Sequence, residues 1–260
     1  MINWSDWVEQ EYNVYPLVTG QKTRWIEAPS EELKEIQRLL LDNLLYKLEP
    51  TEYAHGFVPG RSIVTNARCH VGKKWVLTAD IKNFFPSVTK AQVIEVLAPL
   101  ELAPERQAII VELVTLRGHL PQGAPTSPHL ANLVAGRLDH ALASIYQGAW
   151  IKKFTYTRYA DDLTFSSARG DPYWLLLGVE SAVEAAGFQL ARNKIRIMPA
   201  NGRQIVTGLI VNEKVALPKG KRRILRAMLH RLETSVVVDL EQLKKVQGHL
   251  AMARLVENGG

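Results

Sequence analysis

The feature that most constrains the fold is a pair of adjacent carboxylates, Asp161 and Asp162, between two segments with strand-like patterns. Residues 154–158 fit one strand, and beyond the pair Leu163 and Phe165 alternate with polar residues, as in a half-buried strand. The sequence therefore predicts a β-hairpin with both acids at its tip. Neighbouring anions repel each other unless a cation lies between them, so the tip is a candidate divalent-metal site. A solvated acidic turn is the alternative interpretation.

Composition is typical of a globular protein. With 260 residues, 47% of them hydrophobic, the chain can form one large domain or two modest ones. No run approaches the roughly 20 apolar residues that cross a bilayer, and residues 1–10 lack the basic-then-apolar order of a signal peptide. We therefore expect a cytoplasmic protein with no membrane partner. The single cysteine, Cys69, excludes an internal disulfide and a thiolate-rich zinc site.

Positive charge is concentrated near the C-terminal end. The formal net charge of the chain is +6. The segment from position 219 to position 231 contains six lysines and arginines and no acid, so its charge alone equals this excess. A solvated helix face usually mixes both signs, so this segment favours a surface that contacts nucleic-acid phosphates. The six residues are Lys219, Lys221, Arg222, Arg223, Arg226 and Arg231.

Helical and strand-like patterns alternate along the rest of the chain. Apolar residues at helical spacing after Ser30, a suitable N-cap, predict a first helix that ends before Pro50. An apolar run from Trp75 predicts a strand that ends at Asp80. Further helices are predicted at about 90–99, about 104–116, from Leu130 to Leu142 and at about 173–186, with another strand from Ile205 to Val211. These patterns predict an α+β or α/β class around a small mixed sheet.

Asp80 supplies a third carboxylate at a strand end. If the two hairpin acids lie beside it, the three can hold two Mg²⁺ ions about 3.5–4 Å apart, which bind the attacking and leaving oxygens of a phosphoryl transfer. This arrangement serves nucleotidyl transfer. For Asp80 alone, an ordinary strand-end cap is the alternative.

Three blocks in the chain resemble, in order and spacing, the catalytic blocks of reverse transcriptases. They are Asp80 with Phe85 five positions later, the proline-rich segment 120–128, and the segment 159–162 that contains the adjacent acids. The resemblance runs from about Lys22 to the C-terminus. Each block alone is a weak signal, whereas the ordered set is specific.

The resemblance implies a right-hand polymerase fold of the α+β class. Fingers and palm, with a small antiparallel palm sheet packed on helices, would occupy residues 1–218, and a short basic helical thumb would occupy 219–260. The chain ends at Gly259-Gly260, soon after Gly248, where relatives usually continue with another helical stretch. We therefore expect a thumb that is either naturally short or cut.

Two short elements resemble those of retron reverse transcriptases. Asn66 and His70 belong to an Asn-Ala-x-x-His element, and Val206, Thr207 and Gly208 match a Val-Thr-Gly element. Retron type implies a structured non-coding RNA as template and primer, an RNA-linked DNA product and antiphage defence, with an effector protein as a candidate partner. These five residues would recognise the RNA, although a satisfied buried loop and a plain strand end are the alternatives. The duplex backbone would be gripped by Lys219, Lys221, Arg222, Arg223 and Arg226.

The resemblance assigns metal-binding and sugar-selecting roles. Asp80, Asp161 and Asp162 would ligate two Mg²⁺ ions, with the main-chain carbonyl of Ile81 as a further ligand. Phe85 would be a steric gate, because its ring leaves no room for a 2′-hydroxyl and so favours deoxynucleotides. Its neighbour Phe84 is expected to be a core residue.

The resemblance also assigns residues that contact the incoming dNTP. Gln122 and Gly123 would line the nucleotide pocket. Arg61 is the best-matched candidate to hold the triphosphate, with Lys22 and Arg24 as further candidates. Lys194 would protonate the pyrophosphate leaving group.

The sequence therefore predicts an RNA-directed DNA polymerase of retron type. A group II intron-type reverse transcriptase shares the catalytic blocks but normally carries maturase regions. A catalytically silent RNA-binding scaffold is a second alternative. The three intact acids argue against the scaffold, which has no need to hold converging carboxylates.

Overall fold

A computed structural model describes residues 3–20, 22–145, 154–234 and 240–257 of the chain. Gly259-Gly260, where we expect the thumb to end, and part of the thumb before them lie outside these ranges. Within the described ranges, no helix is both long and apolar enough to span a membrane.

The described residues form eleven α-helices. The first five are α1 (Trp4–Gln10), α2 (Glu31–Asn43), α3 (Ile63–Arg68), α4 (Phe84–Ser87) and α5 (Lys90–Leu97). The other six are α6 (Pro104–Val114), α7 (Ser127–Val134), α8 (Gly136–Ser144), α9 (Tyr173–Ala185), α10 (Lys219–Thr234) and α11 (Leu240–Glu257).

The same residues form eight strands. They are β1 (Tyr12–Thr19), β2 (Lys22–Pro29), β3 (Trp75–Asp80), β4 (Phe154–Tyr159), β5 (Asp162–Ser167), β6 (Arg196–Pro199), β7 (Ile205–Val206) and β8 (Leu209–Ile210). Two pairs, β1–β2 and β7–β8, form separate two-stranded hairpins, and the other four strands form the central sheet.

The central sheet has the strand order β4-β5-β3-β6, and each neighbouring pair is antiparallel. The small antiparallel palm sheet implied by the resemblance is therefore confirmed, and the mixed sheet expected from the sequence patterns alone is wrong. Strand β5 inserts between β3 and β4 and runs antiparallel to both. The register pairs Asp80 on β3 with Asp162 on β5.

Both faces of the sheet are covered, which explains the continuous apolar pattern of β3. On one face Leu77 and Phe165 pack with helices α5 to α9 in the main core. On the other face Val76 joins a smaller core with Val64 of α3 and Val206 of β7. A strand buried on both sides loses the period-two alternation.

Most predicted helices are confirmed to within two residues. The side chain of Ser30 caps α2 by accepting a 3.1 Å hydrogen bond from the Leu33 N–H, as expected. The single helix predicted from Leu130 to Leu142 is wrong, because the chain forms α7 and α8 with a break at Ala135. Gly136 follows the break, and glycine is a poor helix former.

The strand predicted from Ile205 to Val211 is a tight hairpin instead. Its two-residue turn consists of Thr207 and Gly208, with φ of 46° and 79°. Positive φ at both turn residues is characteristic of a type I′ turn. The Val-Thr-Gly element is therefore a turn rather than the end of a strand.

Candidate active site

The tip of the β4–β5 hairpin is a two-residue turn, because Tyr159 pairs with Asp162 and leaves Ala160 and Asp161 between them. The predicted hairpin is confirmed. Ala160 has φ of 56°, a left-handed conformation that costs a non-glycine residue about 1–2 kcal/mol. Contacts around the turn must therefore stabilise this conformation of Ala160.

Three carboxylates converge beside this turn. One oxygen from each of Asp80, Asp161 and Asp162 lies within 4.8 Å of the others. The Ile81 N–H donates a 2.9 Å hydrogen bond to the Asp161 carbonyl, which ties the end of β3 to the turn. The Lys194 ammonium forms a salt bridge with Asp80. Carboxylate oxygens at this spacing suit a hard divalent cation.

Burial and mutual repulsion raise the pKa of two of these acids. Burial, followed by the charge of Asp80, raises the pKa of Asp161. Burial, followed by the charges of Asp80 and Asp161, raises the pKa of Asp162 to about 7. The cluster is therefore costly to ionise fully unless cations offset its charge.

We expect Asp162→Asn to stabilise the metal-free protein at pH 8. The pKa of Asp162 is higher in the folded than in the unfolded chain, so its contribution to stability falls as pH rises from about 4 to about 7. The variant should unfold roughly 5 °C higher at pH 8. This gain should shrink towards pH 4, because there the wild-type carboxyl is also protonated.

Thermal unfolding in EDTA across this pH range tests the expectation. Asp42→Asn, an exposed acid on α2, is the matched control and should show no such trend. An equal gain for Asp162→Asn at pH 5 and pH 8 would contradict the repulsion.

A cleft with a volume of about 720 Å³ opens beside Asp161. Phe85, Gln122 and Lys194, three of the predicted nucleotide-binding residues, line it together with Asp161 and Ile81. Phe84 is 4% exposed, which confirms it as a core residue. The structure thus brings the steric-gate and pocket candidates to the carboxylates.

The triphosphate candidates are placed differently. Arg24 on β2 lines the cleft, whereas Arg61 is absent from the described residues that line it. The Arg61 guanidinium instead donates to main-chain carbonyls, including that of Glu52 at 2.7 Å. Lys22 is the first residue of β2. The position of Arg24 thus favours it over Arg61 as the triphosphate ligand.

Glu27, which the sequence reasoning missed, docks the 120–128 segment onto β2. Its carboxylate accepts a 3.0 Å hydrogen bond from the Gln122 N–H, and its own N–H donates to the Gln122 carbonyl at 3.0 Å. His119 Nε2 lies 3.2 Å from the same carboxylate. Gly123 has φ of 152°, and a Cβ there would lie 2.5 Å from the Glu27 carbonyl oxygen. This wall of the pocket therefore depends on the close approach of the Gly123 backbone to the Glu27 backbone.

Gly123→Ala is expected to weaken dNTP binding. The added methyl would push the segment that carries Gln122 away from β2, and we expect the KM for dNTP to rise about tenfold or more. Gly118→Ala is the matched control, since Gly118 has φ of 83° but open space around its Cβ position. Steady-state kinetics measures the KM for dNTP of both variants. Equal rises in KM would show that backbone strain, and not the contact with Glu27, causes the effect, which would contradict the prediction.

A buried ion pair lies behind the catalytic turn, and no sequence pattern pointed to it. Arg158 of β4 donates to Asp139 of α8 through Nε at 2.8 Å and Nη2 at 2.7 Å. Both side chains are 0% exposed. The Tyr156 hydroxyl donates to the same carboxylate at 2.7 Å, and Thr51 donates to it as well. A charged residue inside a predicted strand was the signal that could have found it.

Two of the predicted RNA-binding residues lie in the interior. Asn66 and His70 are both 0% exposed. His70 Nδ1 lies 2.7 Å from Ser166 Oγ, and Nε2 lies 2.7 Å from Thr157 Oγ1. Burial lowers the pKa of His70 to about 3, so the ring is neutral. This arrangement leaves no surface for direct RNA contact, and any effect of the two residues on RNA must act through the packing of α3 on the sheet.

The other predicted RNA-binding residues are near one another. In the Val206-Thr207-Gly208 element, Val206 is buried, and Thr207 Oγ1 donates to the Ile63 carbonyl at 2.9 Å. A Cβ at Gly208 would lie 3.2 Å from the Lys221 ammonium, so this turn adjoins the start of α10. Six lysine and arginine side chains are exposed on α10, namely Lys219, Lys221, Arg222, Arg223, Arg226 and Arg231.

Comparison with known proteins agrees with this geometry. The family profile described as reverse transcriptase (RNA-dependent DNA polymerase) matches residues 19–235. The retron Mx65 reverse transcriptase of Myxococcus xanthus is 42% identical over 90% of this chain, and the chain spans 58% of that relative's length. The retron Ec86 reverse transcriptase of Escherichia coli is 31% identical over 94% of this chain, with 76% of that relative covered.

A solved structure supports the fold. The foamy viral protease-reverse transcriptase in complex with double-stranded DNA superposes with a TM-score of 0.56 at 17% identity, over 94% of this chain and 36% of that chain. The expected α+β right-hand polymerase fold is thereby confirmed. From the family profile and the identity to relatives over most of its length, the chain belongs to the reverse transcriptase family, among the retron reverse transcriptases.

Proposed function

We propose that this chain is an RNA-directed DNA polymerase of retron type that adds dNTPs to a primer on a structured RNA template. The observation that carries the proposal is the convergence of Asp80, Asp161 and Asp162 within 4.8 Å at the wall of a cleft. Phe85 and Gln122 line the same cleft. A scaffold without catalysis would have no use for carboxylates held at such an electrostatic cost.

The side chains around the cleft suggest how the reaction is supported. Asp80, Asp161 and Asp162, with the Ile81 carbonyl, would hold two Mg²⁺ ions, which when bound stabilise charge on the attacking and leaving oxygens. Arg24, on the cleft wall, would hold the triphosphate. Lys194, whose ammonium pairs with Asp80, would deliver a proton to the pyrophosphate leaving group.

Phe85 would select the sugar, and Phe85→Val is expected to admit ribonucleotides. Its ring lies in the cleft wall beside Phe57, with 6.2 Å between ring centroids. Removal of the ring should lower the ratio of dNTP to rNTP incorporation by at least about tenfold. The ratio within one variant is its own control, because general damage lowers both rates together. An unchanged ratio would remove Phe85 from the gate role.

The RNA partner is proposed from the relatives and from charge. The relatives above are named retron reverse transcriptases, and a retron-type enzyme copies part of a structured non-coding RNA. The basic surface of α10 beside the Thr207-Gly208 turn is suited to RNA phosphates. The proposal further assigns fingers and palm to residues 1–218 and a thumb to residues 219–260. It also predicts an RNA-linked DNA product, a cytoplasmic location, a role in antiphage defence and an effector protein as partner.

Sequencing of the nucleic acid that co-purifies with the protein, followed by primer extension on that RNA with Mg²⁺ and dNTPs, tests the function. We expect one RNA to be enriched and copied in preference to a broad panel of other RNAs. Efficient extension with no preference across the panel would favour a group II intron-type enzyme. Enrichment of RNA without extension on any template would favour the silent scaffold.

A further inference from the structure

The strained turn at the tip of the β4–β5 hairpin is enclosed by a second segment of the chain. A Cβ at Gly56 would lie 2.6 Å from the Ala160 nitrogen, so the Gly56 backbone presses directly on the turn. Main-chain bonds fix this contact, since the Arg158 N–H donates to Tyr53 at 2.8 Å and the His55 N–H donates to Arg158 at 2.7 Å. The segment 53–56 therefore lies along the edge of β4 and ends against Ala160.

Buried side chains connect both sides of this contact to the helical layer. Arg158 Nη1 donates to the Ala160 carbonyl at 3.3 Å and to Asn132 Oδ1 at 2.7 Å. Asn132 Nδ2 in turn donates to the Gly56 carbonyl at 2.7 Å. Asp139 orients the Arg158 guanidinium through two further bonds. One hydrogen-bonded network thus connects the Ala160–Asp161 turn with the segment 53–56 that packs against it.

We propose that Arg158, Asp139 and Asn132 are positioning residues that hold the Ala160–Asp161 turn in its strained conformation and thereby fix the spacing of the metal-binding carboxylates. This inference rests on the proposed function for its catalytic consequence. A left-handed alanine persists only where its surroundings determine it. The Arg158 guanidinium fixes this conformation, because its planar group donates hydrogen bonds to Asp139, Asn132 and Ala160 at the same time.

Among the described residues, the bonds of this network do not reach the side chains of Asp80, Asp161 or Asp162, and its three residues are not among those that line the cleft. Loosening the turn should alter the position of Asp161 relative to Asp80 and weaken metal binding. Arg24 and Gln122 lie on other elements, so dNTP binding should change little. A displacement near 1 Å at reacting groups can lower a rate by about 100-fold. The expected signature is a fall in kcat with a nearly constant KM for dNTP.

Three variants test the proposal. Arg158→Met with Asp139→Leu removes both charges together and avoids leaving either one unpaired in the interior. Arg158→Lys keeps a positive charge for Asp139 but lacks the fork that also serves Asn132 and Ala160. Leu142→Ala is the matched control, since Leu142 is a fully buried residue of α8, like Asp139, but belongs to the apolar core.

All variants and the wild type are assayed at one temperature, about 15 °C below the lowest of their unfolding midpoints, so that all are folded. We expect the double variant to lose about 100-fold in kcat and Arg158→Lys about tenfold, with KM for dNTP within about threefold and a raised Mg²⁺ requirement. Amide hydrogen exchange in the peptide 154–167 should accelerate about tenfold in both. Leu142→Ala should leave kcat, metal requirement and this exchange near wild type.

The proposal is overturned if the network variants match Leu142→Ala in kcat, Mg²⁺ requirement and exchange at the turn. If the double variant does not fold, Arg158→Lys alone decides between the two outcomes. Exchange at the turn and calorimetric Mn²⁺ binding do not depend on polymerase activity. If the wild-type protein is inactive on every template, the proposed function is refuted. These two measurements would still show whether the network positions the turn.

Discussion

Replacement of Asp161 and Asp162 together by alanine is expected to abolish dNTP incorporation, with a loss of at least about 10⁴-fold. The two residues supply two of the three carboxylates that converge within 4.8 Å. Without them, Asp80 alone cannot hold two cations, and the developing charge on the reacting oxygens is left without stabilisation. Primer extension on an RNA template with Mg²⁺ measures the loss.

The same replacement should leave the fold intact, which separates catalysis from stability. The pKa values of both acids are raised by burial and by neighbouring carboxylates, so their removal relieves repulsion in the metal-free protein. The double variant should therefore melt at or above the wild-type temperature at pH 8. Asp42→Ala with Glu49→Ala, two exposed acids, is the control and should keep full activity. Equal incorporation by the catalytic variant and the control would refute the metal-site assignment.

Local patterns were enough to predict the elements that carry the site. The alternation after Asp162 predicted the hairpin, and the apolar run from Trp75 predicted β3, because each signal lies within a few consecutive residues. The register that pairs Asp80 with Asp162 connects positions far apart in the chain. No local pattern encodes such a pairing. The convergence of the acids followed from the family resemblance.

Residues whose surroundings the sequence did not reveal depend on tertiary contacts. Arg24 and Arg61 are both arginines in turn-rich or strand-like sequence, and only the fold shows that Arg24 lines the cleft. His70 was proposed to recognise RNA because it belongs to the Asn-Ala-x-x-His element, with a satisfied buried loop as the alternative. Its two hydrogen bonds to hydroxyls of the sheet satisfy it in the interior. Sequence spacing does not reveal which polar residues find buried partners.

No sequence pattern pointed to the ion pair of Asp139 and Arg158, and its contribution to stability can be measured. Arg158→Met is expected to lower the free energy of unfolding by about 3–5 kcal/mol, because it leaves the fully buried Asp139 carboxylate without its cation. For a chain of this length, this corresponds to a fall in the unfolding midpoint of roughly 10 °C. Urea denaturation monitored by circular dichroism measures the change.

Addition of Asp139→Leu to Arg158→Met should restore most of that stability. Two charges removed together leave no unpaired ion, and an apolar pair of similar volume recovers the desolvation cost of both. The hydroxyls of Tyr156 and Thr51 lose an acceptor, so recovery should be incomplete by about 1–2 kcal/mol. A double variant less stable than Arg158→Met would instead show that the ion pair itself stabilises the fold. If stability returns while catalysis does not, the network serves the position of the turn rather than the stability of the chain.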